Sequence, residues 1–245
     1  YEASTPNTDM LMKKYPNVLI TTNGMEVGLP EGYQGNSEVG HMTIGSGRVI
    51  FQSLARINKS IKDQAFFKMP EFNEAIENCK KNKSHLHLIG LLQVEGVHAH
   101  INHLFALLDS CKKQNFKDVY VHIITDGRDA PVKDSLKHVK KLLDKFKEIG
   151  FGKIATLSGR YYTMDRDKRW DRTKKAYDCV VNGDTDEEFD DIIKQIKSCH
   201  ETDETDEFII PRKLGGYEGV KKGDSFIFYN FRTDRPRQLT MAIVE

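Results

Sequence analysis

Between His85 and Phe231, short apolar runs alternate with longer amphipathic stretches, and this alternation limits the fold more than any other feature of the chain. Apolar runs at His85–Gln93, Asp118–Thr125, Lys153–Leu157, Glu207–Ile210 and Ser225–Phe231 predict strands. Helical spacing of apolar residues predicts helices over Ser53–Lys62, Glu71–Lys81, Ile101–Gln114, Val132–Ile149, Trp170–Asn182, Phe189–Lys197 and Arg235–Val244. Strands that alternate with helices of this length imply βα units, hence an α/β fold with a mostly parallel sheet flanked by helices. Residues 1–50 differ in texture: they are rich in Gly, Pro, Asn and Thr, with one expected strand at Asn17–Thr21 and an expected loop from Gly24 to Gly47.

Composition narrows the function. The 245 residues carry 37 Lys+Arg against 36 Asp+Glu, a net charge of +1, which argues against a chain built to coat nucleic acid. No apolar run approaches the roughly 20 residues that span a bilayer, so no membrane role is expected. Cys79, Cys111, Cys179 and Cys199 are widely spaced without a Cys-x-x-Cys pair, a pattern that fits reduced thiols in a cytosolic protein. The N-terminus lacks both a signal-like segment and a starting Met, so a piece of a longer chain is expected.

The chemistry collects just after the expected strands. Glu95-Gly-Val-His98-Ala-His100 follows the first, Asp126-Gly-Arg128-Asp129 the second, Ser158-Gly-Arg160-Tyr-Tyr162 and Asp165-Arg166-Asp167 the third, and Asn230-Phe-Arg232-Thr-Asp234-Arg235 the last. Open parallel sheets bind ligands at the carboxyl ends of their strands. That crevice would hold Arg128, Arg160, Arg166, Arg232 and Arg235, whose planar guanidinium groups pair bidentately with carboxylate and phosphate. A ligand with more than one anionic group, such as a phosphorylated carboxylic acid, fits. Taken singly, each Arg has an ordinary surface role as its alternative; the coincidence at four strand ends carries the reading.

Other features are weaker. The charge run Asp165–Arg172 reads by default as a solvated helix face, and Trp170 as a packing anchor. His98-x-His100-x-x-His103 is not a metal motif, because imidazoles two apart on a strand point to opposite faces. His98 is expected to face a ligand, as acid/base or as anion donor, with His100 and His103 structural. Ser37 sits in a glycine-flanked segment that presents its hydroxyl, but Val39 occupies the place where a nucleophile elbow needs Gly. Metal coordination could activate such a serine, while a structural turn serine is the plainer alternative.

The segments GNSEVGHMTIGSGR (35–48), GVHAHINHL (96–104), DGRD (126–129), ATLSGRYYTMDRDKRWDR (155–172) and FYNFRTDRPRQ (228–238) closely resemble the cofactor-independent phosphoglycerate mutase family of the alkaline phosphatase superfamily. The resemblance implies interconversion of 3-phosphoglycerate and 2-phosphoglycerate in glycolysis and gluconeogenesis, by a cytoplasmic monomer with two divalent metals, manganese or else magnesium or cobalt. It implies that residues 1–50 are part of a metal-binding phosphatase domain and 51–245 most of an inserted phosphotransferase domain. By the same resemblance Ser37 is transiently phosphorylated and ligates one metal, while His98, Arg128, Asp129, Arg160, Arg166, Arg232 and Arg235 bind substrate. Asp129 is implied either to shuttle protons between the two hydroxyls or only to orient Arg128. The remaining metal ligands and a substrate lysine would lie before Tyr1 and after Glu245. One loop departs from the pattern: the family reads Ser-Asp-Gly-Gly-Val-His where this chain has Gln93-Val94-Glu95-Gly96-Val97-His98. Another metal-dependent phosphatase or phosphomutase of the superfamily is the alternative, and a non-catalytic anion-binding module the reading from a different class.

Overall fold

The computed structural model describes residues 3–33, 35 and 37–244. The chain divides into two compact units, Tyr1–Ala55 and Arg56–Glu245. In the first, helix α1 (Pro6–Lys14) starts on a proline and buries no side chain, a 3-10 turn follows at Gly24–Val27, and α2 covers Ser37–Ser46. Among its described residues the buried apolar ones are Leu29, Val39, Leu54 and Ala55. Two expectations fail here. Asn17–Thr21 is not a strand: Val18, Leu19 and Ile20 are 82%, 90% and 75% exposed, and a strand exists only where its backbone has a partner. The expected Gly24–Gly47 loop contains α2, whose signal is masked because Gly40 and Gly45 are poor helix formers inside it.

The second unit begins within α3 (Ser53–Lys62) and continues through α4 (Pro70–Asn82), β1 (Leu86–Leu91), α5 (Ile101–Lys113), β2 (Val119–Thr125), α6 (Ser135–Ile149), β3 (Lys153–Gly159), α7 (Arg160–Thr163) and α8 (Trp170–Tyr177). It then runs through β4 (Glu188–Phe189), α9 (Ile192–Glu201), β5 (Arg212–Leu214), β6 (Ser225–Phe228) and α10 (Arg237–Val244). The six strands form one sheet in the order β4-β5-β3-β2-β1-β6. β6, β1, β2 and β3 are mutually parallel, and β5 runs antiparallel to β3. Among the described residues no helix is long and apolar enough to cross a membrane.

Burial explains the continuous apolar strand sequences. All six residues of β1 are buried, as a parallel strand covered on both faces requires. The core joins Leu86, Leu88, Ile123 and Leu157 of the strands to Ile76 of α4, Leu104 and Leu108 of α5, Leu142 of α6 and Ile196 of α9. All four cysteines are free and buried.

Two segments differ from the sequence reading for visible reasons. α9 starts at Ile192 rather than Phe189 because the Asp191 carboxylate accepts hydrogen bonds from the backbone N–H of Ile193 and Lys194, capping the helix there. The expected strand Glu207–Ile210 is instead a 3-10 turn at Asp206–Phe208, and the sheet position is taken by β5. Asp206 is the cause. Its carboxylate is 1% exposed and accepts from the N–H of Asp134 and Ser135, the Ser135 hydroxyl and His200 Nε2, so the chain must turn where it enters the core.

A polar chain also crosses the sheet, from Asp224 just before β6 through β1 to the middle of β2 and β3. His87 Nε2 lies 3.1 Å from Asp224 Oδ2, His87 Nδ1 2.9 Å from His122 Nε2, and His122 Nδ1 2.9 Å from Thr156 Oγ1. Burial pushes both imidazoles below their ordinary range, His122 well below it, and pushes His103 down to about 4. These groups are neutral in the folded protein, whereas in the unfolded chain they take up protons below about pH 6.5. Their stabilisation is therefore complete above pH 6.5 and declines as pH falls toward 4. The midpoint of thermal unfolding should drop steadily between pH 7 and 5; a flat profile over that window would contradict the assignment.

Candidate active site

Four adjacent parallel strands end on one side of the sheet, so the segments that follow β1, β2, β3 and β6 share one edge. Arg160, the first residue of α7, is 3% exposed there. Its Nη1 donates to Asp126 Oδ1 at 2.6 Å and Asp129 Oδ2 at 2.5 Å, and its Nη2 lies 3.2 Å from His98 Nε2. A buried guanidinium is tolerable only with such partners.

The histidine is tuned by the same contacts. Burial, and then the Arg160 charge, lower the His98 pKa to about 4, so the ring is neutral near pH 7. Arg160 can only donate, so Nε2 accepts and Nδ1 carries the proton. That Nδ1 is buried without a hydrogen-bond partner and lies 3.9 Å from Asp234 Oδ1.

Around this centre stand the other arginines. Arg166 Nη1 is 2.6 Å from Asp234 Oδ2, Arg232 Nε is 3.5 Å from Asp234 Oδ1, and Arg128 is 3.6 Å from Glu207. Arg235 donates from Nη1 to the Met164 carbonyl, but its buried Nε has no partner. Burial and the charges of Arg160, Arg166 and Arg128 lower its pKa. Arg128, Arg160, Arg166 and Arg235 line one cleft, which Arg169, Arg172, Tyr161, Asp165 and Glu207 complete.

Sequence reasoning thus finds four of the cleft arginines, while Arg232 and His98 are joined to them through Asp234 and Arg160. It misses Arg169 and Arg172, read as a solvated face. Arg172 stacks 3.7 Å over the Tyr161 ring and lies 3.7 Å from Asp165, which turns it into the cleft. Spacing from the Ser158-Gly-Arg160-Tyr161 strand end was the available signal. Trp170 is 47% exposed and does not anchor packing as expected. His103 is buried with Nε2 3.0 Å from Asn58 Oδ1, and His100 caps α5 by accepting from the Asn102 N–H. Asp129 pairs with Arg160, and the residue beside Arg128 is Glu207.

In the first unit, Ser37 is the exposed first residue of α2. His41 Nδ1 is 3.2 Å from its hydroxyl and 2.7 Å from its carbonyl oxygen. A carbonyl only accepts, so this nitrogen carries a proton and is not a base for Ser37. Among the described residues one trio, Glu95, Asp134 and His138, brings three metal-type donors within 4.8 Å of one another. Its Asp134 is already paired with Lys137 at 2.6 Å and with His138 at 3.1 Å.

Comparison with known proteins identifies the family. Residues 57–245 match the family described as "BPG-independent PGAM N-terminus". The chain belongs to the 2,3-bisphosphoglycerate-independent phosphoglycerate mutase family. It is 48% identical over 247 residues to that mutase from Acetivibrio thermocellus, covering 99% of this chain and 48% of the relative. It is 52% identical over 240 residues to the one from Staphylococcus saprophyticus, covering 97% and 47%. A phosphoglycerate mutase from Leishmania mexicana, solved at low cobalt concentration, superposes with a TM-score of 0.82 at 30% identity, over 100% of this chain and 47% of that one. The chain therefore spans about half the length of the relatives it matches.

Two glycines of the mutase motifs have a steric reason. A Cβ on Gly159 would lie 2.3 Å from the Glu207 carbonyl oxygen, and one on Gly127, where φ is +68°, would lie 2.6 Å from the Glu207 N–H nitrogen. Both positions let the Asp206–Phe208 turn press against the strand ends and deliver Glu207 to Arg128. Gly159→Ala should cost about 1–3 kcal/mol in urea unfolding. An unchanged midpoint would show that the turn yields freely.

Proposed function

We propose that the cleft binds phosphoglycerate and that the protein interconverts 3-phosphoglycerate and 2-phosphoglycerate through a phosphoserine at Ser37. The observation that carries the reading is Arg235. Its Nε is buried and unpaired, and three neighbouring guanidinium groups depress its pKa, a balance that an anionic ligand would restore. Two anionic groups on one small molecule suit several forked donors in one cleft.

In this reading the arginines hold the carboxylate and phosphate, and the neutral His98 offers its unpartnered Nδ1–H to a substrate oxygen. A ring with a pKa of about 4 is a donor rather than a proton carrier near pH 7. Ser37 Oγ, having lost its proton, bonds to phosphorus as the bond from phosphorus to the first glycerate oxygen breaks, and that oxygen takes up a proton. The glycerate reorients, its other hydroxyl loses a proton and attacks the phosphoserine, and Ser37 is released. Asp129 is the candidate to move that proton, within 3.5 Å of His98 Nε2; holding Arg160 is its simpler role.

The roles of residues 1–50 as part of a phosphatase domain and of 51–245 as a phosphotransferase domain belong to the same proposal, as do a monomeric state and a cytoplasmic location. So does a pair of divalent cations, manganese or else magnesium or cobalt, with Ser37 as one ligand. The described residues alone do not fit that pair: Ser37 contributes one hydroxyl, the trio of donors includes no residue of its unit, and each such ion is held by several protein ligands.

Two outcomes are expected. Calorimetric titration with 3-phosphoglycerate should show Arg235→Ala weakening binding on the order of tenfold or more; equal affinity would remove the main support. The 245-residue chain alone, supplied with manganese, should give no turnover, and measurable mutase activity would show that the donors present here suffice.

A further inference from the structure

One buried carboxylate links the Arg160 guanidinium to the loop that carries Arg128 and Asp129. Asp126, at the end of β2, is 4% exposed. Its Oδ1 accepts from the backbone N–H of Arg128 (3.2 Å) and of Asp129 (3.1 Å) as well as from Arg160 Nη1 (2.6 Å). One oxygen thus fixes the loop that carries two of the site residues and the guanidinium that a third contributes from the start of α7.

The other oxygen has a partner of its own, Gln93. Gln93 is fully buried, and the terminal atom of its amide that faces Asp126 Oδ2 at 3.0 Å and Glu95 Oε2 at 3.3 Å meets only acceptors, so it is the nitrogen. Gln93 also accepts at its backbone carbonyl from the N–H of Ile101, the first residue of α5, so its own position is fixed.

We propose that Asp126 is the positioning residue of the anion cleft and that Gln93 holds it, so that Arg160, Arg128 and Asp129 share one geometry before ligand arrives. A carboxylate with both oxygens occupied cannot rotate, and Arg160 then has one low-energy position. The inference rests on the reading of the cleft as a phosphoglycerate site.

The test uses the full-length protein, 3-phosphoglycerate titrated by calorimetry, steady-state kinetics, and the unfolding midpoint of each variant. Asp126→Asn keeps an oxygen for the two backbone N–H groups and loses the charge opposite Arg160. Binding should weaken on the order of 10–100-fold, with the loss falling more on KM than on kcat. Gln93→Leu frees one carboxylate oxygen and should weaken binding roughly threefold to tenfold; it decides the matter if Asp126→Asn does not fold. If Arg235→Ala loses binding while Asp126→Asn and Gln93→Leu match the wild type, or only lower the unfolding midpoint with KM unmoved, the positioning role is wrong. If Arg235→Ala itself binds like the wild type, the phosphoglycerate reading is what fails.

Discussion

A guanidinium almost closed to solvent at the end of a parallel strand is the constraint around which this site is built. Arg160 is tolerable at that depth because Asp126 and Asp129 stand against one nitrogen and His98 against another. The two aspartates follow β2, the histidine follows β1 and Arg160 itself follows β3, and only parallel pairing of β1, β2 and β3 in adjacent positions brings those ends together. The sheet topology and the charge cluster therefore depend on each other. A change of strand order would leave Arg160 a buried charge without neutralisation.

Electrostatics and packing converge at the Asp206–Phe208 turn. Its buried Asp206 draws the chain inward by accepting four hydrogen bonds, and the absent side chains of Gly127 and Gly159 leave room for the backbone. Glu207 is then carried to within 3.6 Å of Arg128. A carboxylate buried for stability in this way places another carboxylate at the site, so the stabilising contact and the functional one lie on adjacent residues.

Much of this was legible in the letters. The runs around Leu88, Ile123 and Leu157 are apolar without alternation, which only a strand covered on both faces requires, and the arginines after them followed from the rule for parallel sheets. What was not legible depended on contacts distant in sequence. Glu207–Ile210 has strand-like letters, and nothing local shows that Asp206 is claimed by Asp134 and Ser135. The charges of Asp165–Arg172 look like any solvated helix face until Arg172 is seen stacked on Tyr161. In the first unit, Gly40 and Gly45 hide α2, and Val18–Ile20 have the letters of a strand without a backbone partner among the described residues. Family membership came from motifs, and roles for single residues such as Ser37 rest on that resemblance more than on local geometry.

Two parts of the sheet use histidine in opposite ways. Within the strands, His87 and His122 close a neutral chain between Asp224 and Thr156, with the nitrogens that face one another and their partners all engaged. At the carboxyl ends, His98 is also depressed by burial but keeps one buried nitrogen unpartnered, and Arg235 in the cleft keeps another. A folded chain seldom leaves buried donors empty, because each costs on the order of 1–3 kcal/mol. The first has spent its polar groups on holding the sheet together. The second withholds them, and that difference, rather than the residue types, separates a structural network from a binding site.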